Sequence, residues 1–397
     1  MSRFVVVGRF AETSGYGTAA RRISDLLERY GIRVVRVDLA GLTHESSFDG
    51  DWRISLTGDR IEVAPDDPST DIVCLAVCRP DQLNRIEVHG QCPLALWWFW
   101  EFNRVPSPWI DPILSTDATF VSSDFHAAAC RSAAVPDFLV EKLFIPKPNV
   151  LPKPEADSGS SEGFKFLTVI GATDRKDLSA VLGGFALAFE ERRSDVSLTI
   201  KLPNSSKARE FFDWSLERAS TLYDLPLSRL RQNLSVNAVN FTDMDMQELI
   251  RDHDCYVSCE VASGWNIPAA DALTYGKPVL GPVVGAMSEY SHVSEGSFFA
   301  CGVTQCQISE SFTDYIESVG SLPSVYVEDY AENMRKIKKT ASELARSQAR
   351  RRSDFEQFAS DEVILQQLLS GLTSDPKRVA LYNGSPSVSV SSGRPLW

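Results

Sequence analysis

Three positively charged side chains follow predicted strands in the second half of the sequence, where they could bind an anion. Arg175 and Lys176 come after the apolar run 164–171, and Lys201 ends the next predicted strand. A single cation at a strand end is usually a surface charge. The carboxyl ends of parallel strands meet at one edge of a sheet, however, so these three are expected to converge. Because arginine grips phosphate oxygens with its fork and lysine acts as a point charge, the pattern predicts a phosphate clamp.

A polar loop after a further strand supplies a second element of such a site. The predicted strand 255–259 leads into a loop, and a helix is expected to begin near Pro268 and to end at Gly276. Proline fits the first turn of a helix, and glycine fits the left-handed position after the last turn. The unpaired N–H groups at the helix start predict a seat for phosphate. The loop residues that would face this ligand are Ser263, Gly264, Trp265, Asn266 and Ile267.

The first half of the chain must supply the opposite wall. The runs 4–8 and 33–39 predict buried strands, and residues 19–30 predict an amphipathic helix between them. The loop before this helix does not match Gly-x-Gly-x-x-Gly, so a plain turn and a phosphate-binding loop both fit. Two glycines flank a tyrosine in that loop: Gly15, Tyr16 and Gly17.

Glu101 is the candidate polar contact of the first half. It follows the aromatic run 97–100 at the end of a predicted strand, 94–100. The carboxyl ends of strands are where α/β folds bind ligands, so a ligand contact is one interpretation. The other is that Glu101 caps or pairs structurally while the tryptophans fill the core.

The order of strands and helices predicts two domains. Further strands are expected at 71–77, 118–122 and 143–145, and then, after a break, at 196–202, 234–241 and 278–280. Strands that alternate with helices indicate mostly parallel, doubly wound sheets. The break has linker composition. The predicted parts are a Rossmann-like domain at 1–151, a linker at 152–163, a second Rossmann-like domain at 164–345, a terminal helix at 346–372 and a tail at 373–397.

Composition excludes several functional classes. The chain has 397 residues and a net charge of -13, which argues against a nucleic-acid surface. No run approaches the roughly 20 apolar residues that span a bilayer, so a cytoplasmic protein is predicted. The eight cysteines lack Cys-x-x-Cys spacing and the five histidines are scattered, so neither disulfides nor a metal site are expected. The basic stretch 335–352 is typical of a solvated helix face and leaves a peripheral membrane contact open.

The loop and helix at 263–279 resemble the signature of retaining glycosyltransferases of the GT-B fold. In that signature, Glu-Gly-Phe-Gly-Leu-Pro-x-x-Glu-Ala precedes a small-Gly-x-Pro-Val turn. This chain has Ser263 at the first glutamate and Asp271 at the second, and Trp265-Asn266 replaces Phe-Gly. The segments around the three cations are also similar to the family's, and the resemblance covers roughly residues 3–290.

The resemblance implies an α/β GT-B architecture, with two doubly wound Rossmann-like domains facing each other across a cleft. It implies transfer of a sugar from a nucleoside diphosphate sugar to a hydroxyl of a saccharide, lipid-linked or glycoconjugate acceptor, with retained anomeric configuration. Lys176 and Lys201 would neutralise the leaving diphosphate, Asp271 would bind the ribose, and the loop 15–17 would approach the phosphate. Neither a metal nor another cofactor is implied.

Two matters stay open in the sequence. Ser263 carries no charge, so Glu260 is a candidate substitute for the family's first glutamate, and Glu101 and Asp124 are candidate acids for the chemistry. The same departure favours a second hypothesis, a catalytically degenerate GT-B protein that binds a sugar nucleotide or serves as a partner subunit. A glycosyltransferase acting on nucleic acid ranks third because the chain is acidic.

Overall fold

The fold was analysed in a computed structural model of the chain. The structure describes residues 3–39, 52–57, 60–65, 72–148, 163–171, 175–189, 195–307 and 321–373. The predicted linker, apart from Gly163, and the predicted tail, apart from Thr373, lie outside these residues.

The first domain is built on a parallel six-stranded sheet. The order is β2-β1-β5-β7-β8-β9, and a smaller sheet of order β3-β4-β6 lies beside it. Strands β1 and β5 are apolar and buried on both faces, as expected for a sheet that helices cover on both sides. The strands are β1 (Arg3–Gly8), β2 (Arg33–Asp38), β3 (Trp52–Thr57), β4 (Arg60–Pro65), β5 (Ile72–Val77), β6 (Ile86–Val88), β7 (Leu94–Trp97), β8 (Ala118–Val121) and β9 (Val140–Lys142).

The second domain repeats this plan. Its six parallel strands have the order β12-β11-β10-β13-β14-β15, and β16 pairs with β17 in a separate antiparallel ribbon. In each large sheet the chain first winds outward and then returns past its starting strand, at β1/β5 and at β10/β13. Such switch points are where doubly wound sheets bind ligands. The strands are β10 (Phe164–Val169), β11 (Val196–Lys201), β12 (Leu234–Asn237), β13 (Cys255–Val257), β14 (Val279–Pro282), β15 (Phe298–Cys301), β16 (Val303–Gln307) and β17 (Ser321–Val325).

Helices cover both sheets, and short 3-10 turns occur at Pro80–Arg85, Asp137–Leu139 and Gly285–Glu289. The α-helices are α1 (Gly15–Arg29), α2 (Ser107–Leu114), α3 (Asp124–Ser132), α4 (Leu178–Ala188), α5 (Ser206–Tyr223), α6 (Leu227–Leu230), α7 (Asp243–Arg251), α8 (Ile267–Thr274), α9 (Val327–Lys339), α10 (Ala341–Arg346), α11 (Gln348–Phe358) and α12 (Asp361–Thr373). Among the described residues, none of these helices is both long enough and apolar enough to cross a membrane.

Helix α1 begins earlier than the sequence predicted. Ser14 caps it, because its hydroxyl accepts a hydrogen bond from the backbone N–H of Gly17 at 3.2 Å. The two glycines therefore belong to the first helical turn rather than to a free loop. A β-carbon at Gly17 would collide with the backbone oxygens of Arg9 and Glu12, so this glycine lets the helix start pack against the preceding segment.

The predicted strand 143–145 was wrong. Strand β9 ends at Lys142, and the following residues are buried but irregular. The backbone N–H of Phe144 donates at 3.0 Å to the side chain of Gln367, which lies on α12. The side chain of Gln367 therefore accepts the hydrogen bond that a neighbouring strand would accept if residue 144 were part of the sheet.

The end of the chain returns to the first domain, but not as one helix over 346–372. Helix α11 stays on the second domain, where Arg351 donates two hydrogen bonds to the backbone oxygen of Gly276. Helix α12 packs on the first domain: Gly371 lies against the ring of Phe120. The crossing therefore occurs between the two helices, at residues 359–360.

Candidate functional site

A cleft of about 500 Å³ lies between the two domains, at the switch points of both large sheets. Most of the residues proposed from the sequence line it: Gly15, Tyr16, Glu101, Arg175, Lys176, Lys201, Gly264, Trp265, Asn266, Ile267 and Asp271. Gly17 and Ser263 are not part of its wall. Gly17 is held in the first turn of α1, and Ser263 is 0% exposed behind the loop that carries Gly264.

Two loops of the second domain are joined into the floor of the cleft. The backbone N–H of Val261 donates to the oxygen of Arg175 at 2.9 Å, and that of Asp177 donates to the oxygen of Cys259 at 2.7 Å. These bonds tie the loop after β10 to the loop after β13. They bring Lys176 and Glu260 together, and the two side chains form an ion pair.

The charges on this floor are largely compensated. Arg175 lies 3.2 Å from Glu101 of the first domain and 4.0 Å from Glu260 of the second. Burial alone would raise the pKa of Glu260, but the charges of Lys176 and Arg175 outweigh it and lower the pKa below its usual range. For Glu101 burial dominates, and its pKa is raised despite Arg175. Glu260 is therefore the more firmly ionised of the two carboxyl groups.

Lys201 is the cation of this wall whose charge is least compensated. Its ammonium group donates to the backbone oxygen of Leu202 at 2.8 Å and lies 4.9 Å from the centre of the Phe241 ring. In the part of the chain that the structure describes, it forms no ion pair with a carboxylate. Burial lowers its pKa. A buried cation without a counter-charge favours an anionic ligand, because the ligand would restore the missing compensation.

Asp271 is already engaged by the first domain. Both of its oxygens accept a hydrogen bond from the guanidinium of Arg22 at 2.7 Å, and one also accepts from Gln247 at 3.1 Å. Burial alone would lower the pKa of Arg22, but the charge of Asp271 raises it. Helix α8 begins at Ile267, one residue earlier than predicted, which places Asp271 in its second turn. The carboxylate proposed for a ribose thus also joins the two domains.

The loop 263–266 serves the domain interface as well as the cleft. A β-carbon at Gly264 would lie 3.1 Å from the β-carbon of Phe99, so only glycine lets the first domain approach here without a shift. The backbone oxygen of Gly264 accepts a hydrogen bond from the hydroxyl of Ser122. Trp265 stacks on Phe144 of the first domain with ring centres 5.2 Å apart. These contacts fix the loop that forms the rim of the cleft.

Asn266 has a conformational role. Its φ is 59°, a left-handed value, and it precedes the first residue of α8. Its side-chain oxygen accepts from the backbone N–H of Ala269 at 3.2 Å, and its amide donates to Ser258 at 2.8 Å. The Asn266 side chain therefore accepts from one of the N–H groups at the helix start that were predicted to bind a phosphate.

On the opposite wall, Tyr16 is held by the backbone rather than free to react. Its hydroxyl donates to the oxygen of Phe99 at 3.2 Å and accepts from the N–H of the same residue at 3.1 Å. Burial raises its pKa. Gly15 faces the side chain of Ile267, so the start of α1 and the start of α8 meet across the cleft.

Asp124 is not brought to the cleft wall. Its side chain is 73% exposed and lies 3.1 Å from Lys142. Lys142 also lies 3.3 Å from Glu289 of the second domain. Asp124 therefore belongs to an exposed bridge between the domains rather than to the cleft.

The sequence missed Arg22, Gln247 and Asp243 as residues of this region. Arg21 pairs with Asp243 at 2.8 Å, beside the pair of Arg22 with Asp271. One signal for Arg22 was available. Residues 19, 22, 23 and 26 share one face of the predicted helix, and an arginine on an otherwise apolar face requires a buried partner.

Cysteines and acidic clusters add little to the site. The cysteines predicted to be buried are buried with free thiols: Cys74, Cys78, Cys255 and Cys259. Within the described ranges, no group of three or more histidine, cysteine, aspartate or glutamate side chains is arranged to hold a metal ion.

Comparison with known proteins finds similarity in structure only. No family model matches the sequence, and no curated protein does. Among solved structures, Anabaena HepE in complex with UDP and glucose superimposes with a TM-score of 0.61 at 11% identity, over 94% of this chain and 100% of that one. The similarity extends over nearly the whole length of both chains. This chain has the GT-B fold.

Two further GT-B structures support the fold. A UDP-forming α,α-trehalose-phosphate synthase from Burkholderia xenovorans gives a TM-score of 0.56 at 13% identity, over 94% of this chain and 98% of that one. Staphylococcus aureus TarM, in complex with fondaparinux, α-GlcNAc-glycerol and UDP, gives 0.53 at 10% identity, over 77% of this chain and 56% of that one. The predicted fold class, two Rossmann-like domains across a cleft, is thereby confirmed.

Proposed function

We propose that this protein is a glycosyltransferase that moves a sugar from a nucleoside diphosphate sugar to an acceptor hydroxyl, with retention of the anomeric configuration. The observation that carries the proposal is the wall that holds Arg175, Lys176 and Lys201 at the switch point of the second sheet. Lys201, a buried cation that pairs with no carboxylate among the described residues, favours an anionic ligand there. The acceptor class proposed is a saccharide, a lipid-linked sugar or a glycoconjugate.

Uridine diphosphate sugars are the first donors to test. HepE and TarM were solved with UDP, and the similar synthase is described as UDP-forming. In this proposal the base and ribose lie toward Asp271, and the diphosphate lies over the three cations. Departure of the diphosphate is assisted by these side chains, because they stabilise the negative charge that grows on it. Neither a metal nor another cofactor is part of the proposed mechanism.

Lys201→Ala is the cleanest test of donor binding. Lys201 pairs with no carboxylate in the described part of the chain, so its removal leaves none unpaired, whereas Lys176→Ala would take away the ion-pair partner of Glu260. UDP should raise the melting temperature of the wild type, since a ligand at about 100 Kd stabilises the folded state by about 2.7 kcal/mol. The shift should largely disappear in Lys201→Ala and persist in Lys142→Ala, a lysine outside the cleft. Equal shifts in both variants would contradict the assignment.

Turnover is tested separately with Lys176→Ala. Release of UDP from UDP-sugars in the presence of candidate acceptors should fall by about 100-fold or more, the usual effect of removing one group that stabilises a developing anion. Lys142→Ala again serves as the control. Near-normal turnover in Lys176→Ala would contradict the proposed mechanism.

A sugar-nucleotide binder without catalysis is the second candidate. Its support is that Lys176 and Arg175 are already paired with Glu260 and Glu101, and that Ser263 is sealed away from the cleft. Binding of UDP-sugars without hydrolysis or transfer to any acceptor in the panel would favour it.

A further inference from the structure

One ion pair crosses the cleft itself. Arg175 of the second domain lies 3.2 Å from Glu101 of the first, and both residues line the cleft. Glu101 belongs to the segment after β7 and Arg175 to the loop after β10, so the pair joins the carboxyl edges of the two large sheets. A ligand that lies between these edges therefore meets the pair.

The cations beside this pair differ in the negative charge that their own domain supplies. Lys176 is in contact with Glu260, which the junction of two loops of the second domain holds against it. Arg175 lies further from the same carboxylate, at 4.0 Å. The nearer carboxylate of Arg175 is Glu101, and it comes from the first domain. Glu101 thus takes the position on the Arg175 guanidinium that suits an anionic ligand.

The contact between Glu101 and Arg175 is weaker than that between Arg22 and Asp271. The latter is bidentate at 2.7 Å and almost fully buried, whereas the side chains of Glu101 and Arg175 are 20% and 27% exposed. Burial raises the pKa of Glu101 despite the charge of Arg175, so the contact does not offset the solvation that Glu101 has lost. Such a contact can be exchanged for one with a stronger anion.

A diphosphate is a stronger anion of this kind. It carries more negative charge than a carboxylate and offers more oxygens to the fork of an arginine. Two anions at one guanidinium also repel each other, so Arg175 cannot hold the diphosphate and keep Glu101 at the same distance.

We propose that Glu101 and the donor diphosphate compete for Arg175, so that binding of the donor breaks this contact between the domains. This inference rests on the proposed function, which supplies the diphosphate. Glu101 then acts as an inhibitor built into the chain. It lowers the affinity for the donor and ties the two walls of the cleft together until the diphosphate displaces it.

Glu101→Gln tests the competition. The amide keeps an oxygen that accepts a hydrogen bond from Arg175, but the negative charge is gone. Isothermal titration would give the Kd of UDP for the wild type and the variant. The variant should bind UDP about tenfold more tightly, since one neighbouring charge changes the binding of even a single proton by that factor or more. An unchanged or weaker affinity is expected if Glu101 only positions Arg175, and it would overturn the inference.

Glu289→Gln is the matched control. It removes the same charge from a residue that pairs with Lys142 outside the cleft, and it should leave the Kd of UDP unchanged. A gain in affinity as large as that of Glu101→Gln would overturn the inference, because the lower net charge of the chain would then explain both.

The stability of Glu101→Gln gives a second result that needs no ligand. A contact that the donor can break contributes little to folding, so urea denaturation should show nearly the same unfolding free energy for variant and wild type. Failure of the variant to fold, or a loss typical of breaking a buried ion pair, would identify a structural clamp and overturn the inference.

The wild type separates this inference from the proposed function. Failure of the wild type to bind UDP and UDP-glucose would overturn the proposed function and this inference with it. Binding of UDP by the wild type, without tighter binding by Glu101→Gln, would overturn the inference alone.

Discussion

Two of the ion pairs that join the domains differ in their access to water. The side chains of Arg22 and Asp271 are 9% and 4% exposed, and their contact is bidentate at 2.7 Å. Those of Lys142 and Glu289 are 35% and 10% exposed, and they lie 3.3 Å apart. The first pair lines the cleft and the second lies outside it. The pair of Arg22 with Asp271 is therefore part of the site. The pair of Lys142 with Glu289 only joins the two domains that form the cleft.

The difference matters because water screens charges. A pair in water gains little, since each partner was already well solvated. A pair without water gains more from its contact but has already lost its solvation, so removal of one partner leaves a charge with nothing to replace it. The two pairs should consequently respond very differently to the same kind of substitution.

The largest effect is expected for Arg22→Ala. It leaves Asp271 buried with Gln247 as its remaining described partner, and breaking a buried pair in this way costs about 3–5 kcal/mol. Urea denaturation of wild type and variant would measure the loss. Arg29→Ala is the matched control on the same helix, because Arg29 pairs with Asp361 at 3.0 Å near the surface. Equal losses of unfolding free energy in the two variants would show that burial of the ion pair does not determine the size of the effect.

A small effect is expected for Lys142→Ala. The partly exposed pair should contribute about 1 kcal/mol or less, and less again in high salt. The same denaturation experiment at low and high ionic strength measures it. A loss as large as that of Arg22→Ala would show that exposure does not separate the two pairs.

The smallest expected effect is the change in stability with rising pH, and its direction is well defined. Burial alone would lower the pKa of Lys142, but the hydrogen bond to Asp124 and the charge of Glu289 raise it above the ordinary 10.5. A raised lysine pKa in the folded state means that the pair stabilises fully below pH 10.5 and that this contribution is lost as pH rises through the folded pKa. Arg22 stays charged throughout.

The measurement is the difference in melting temperature between wild type and Lys142→Ala, followed from about pH 8 to about pH 11.5. The difference should shrink toward the alkaline end. A difference that grows there would contradict the raised pKa.

The sequence was informative wherever a single element carried the signal. Apolar runs predicted most strands of both sheets, and the position of Arg175, Lys176 and Lys201 after strands predicted that they would meet on one edge. Both inferences need only the rule that parallel strands share their carboxyl edge. The sequence also contained a signal for the early start of α1, because Ser14 is a typical N-cap residue. The two glycines that follow it were instead interpreted as part of a loop.

What could not be predicted depends on how the domains meet. The partner of Asp271 lies 249 residues away in sequence, on a helix of the other domain. Gly264 and Trp265 were assigned to a ligand, whereas their closest contacts include Phe99 and Phe144 of the first domain. No local pattern encodes such contacts, because they arise only after both sheets have formed and packed.

The chain passes between the domains twice, once between residues 148 and 163 and again at 359–360, between α11 and α12. The first domain is therefore completed by a part of the chain far from the rest of it in sequence, because α12 lies against Phe120 of β8. A single cut in either connection would leave the two domains joined through the other.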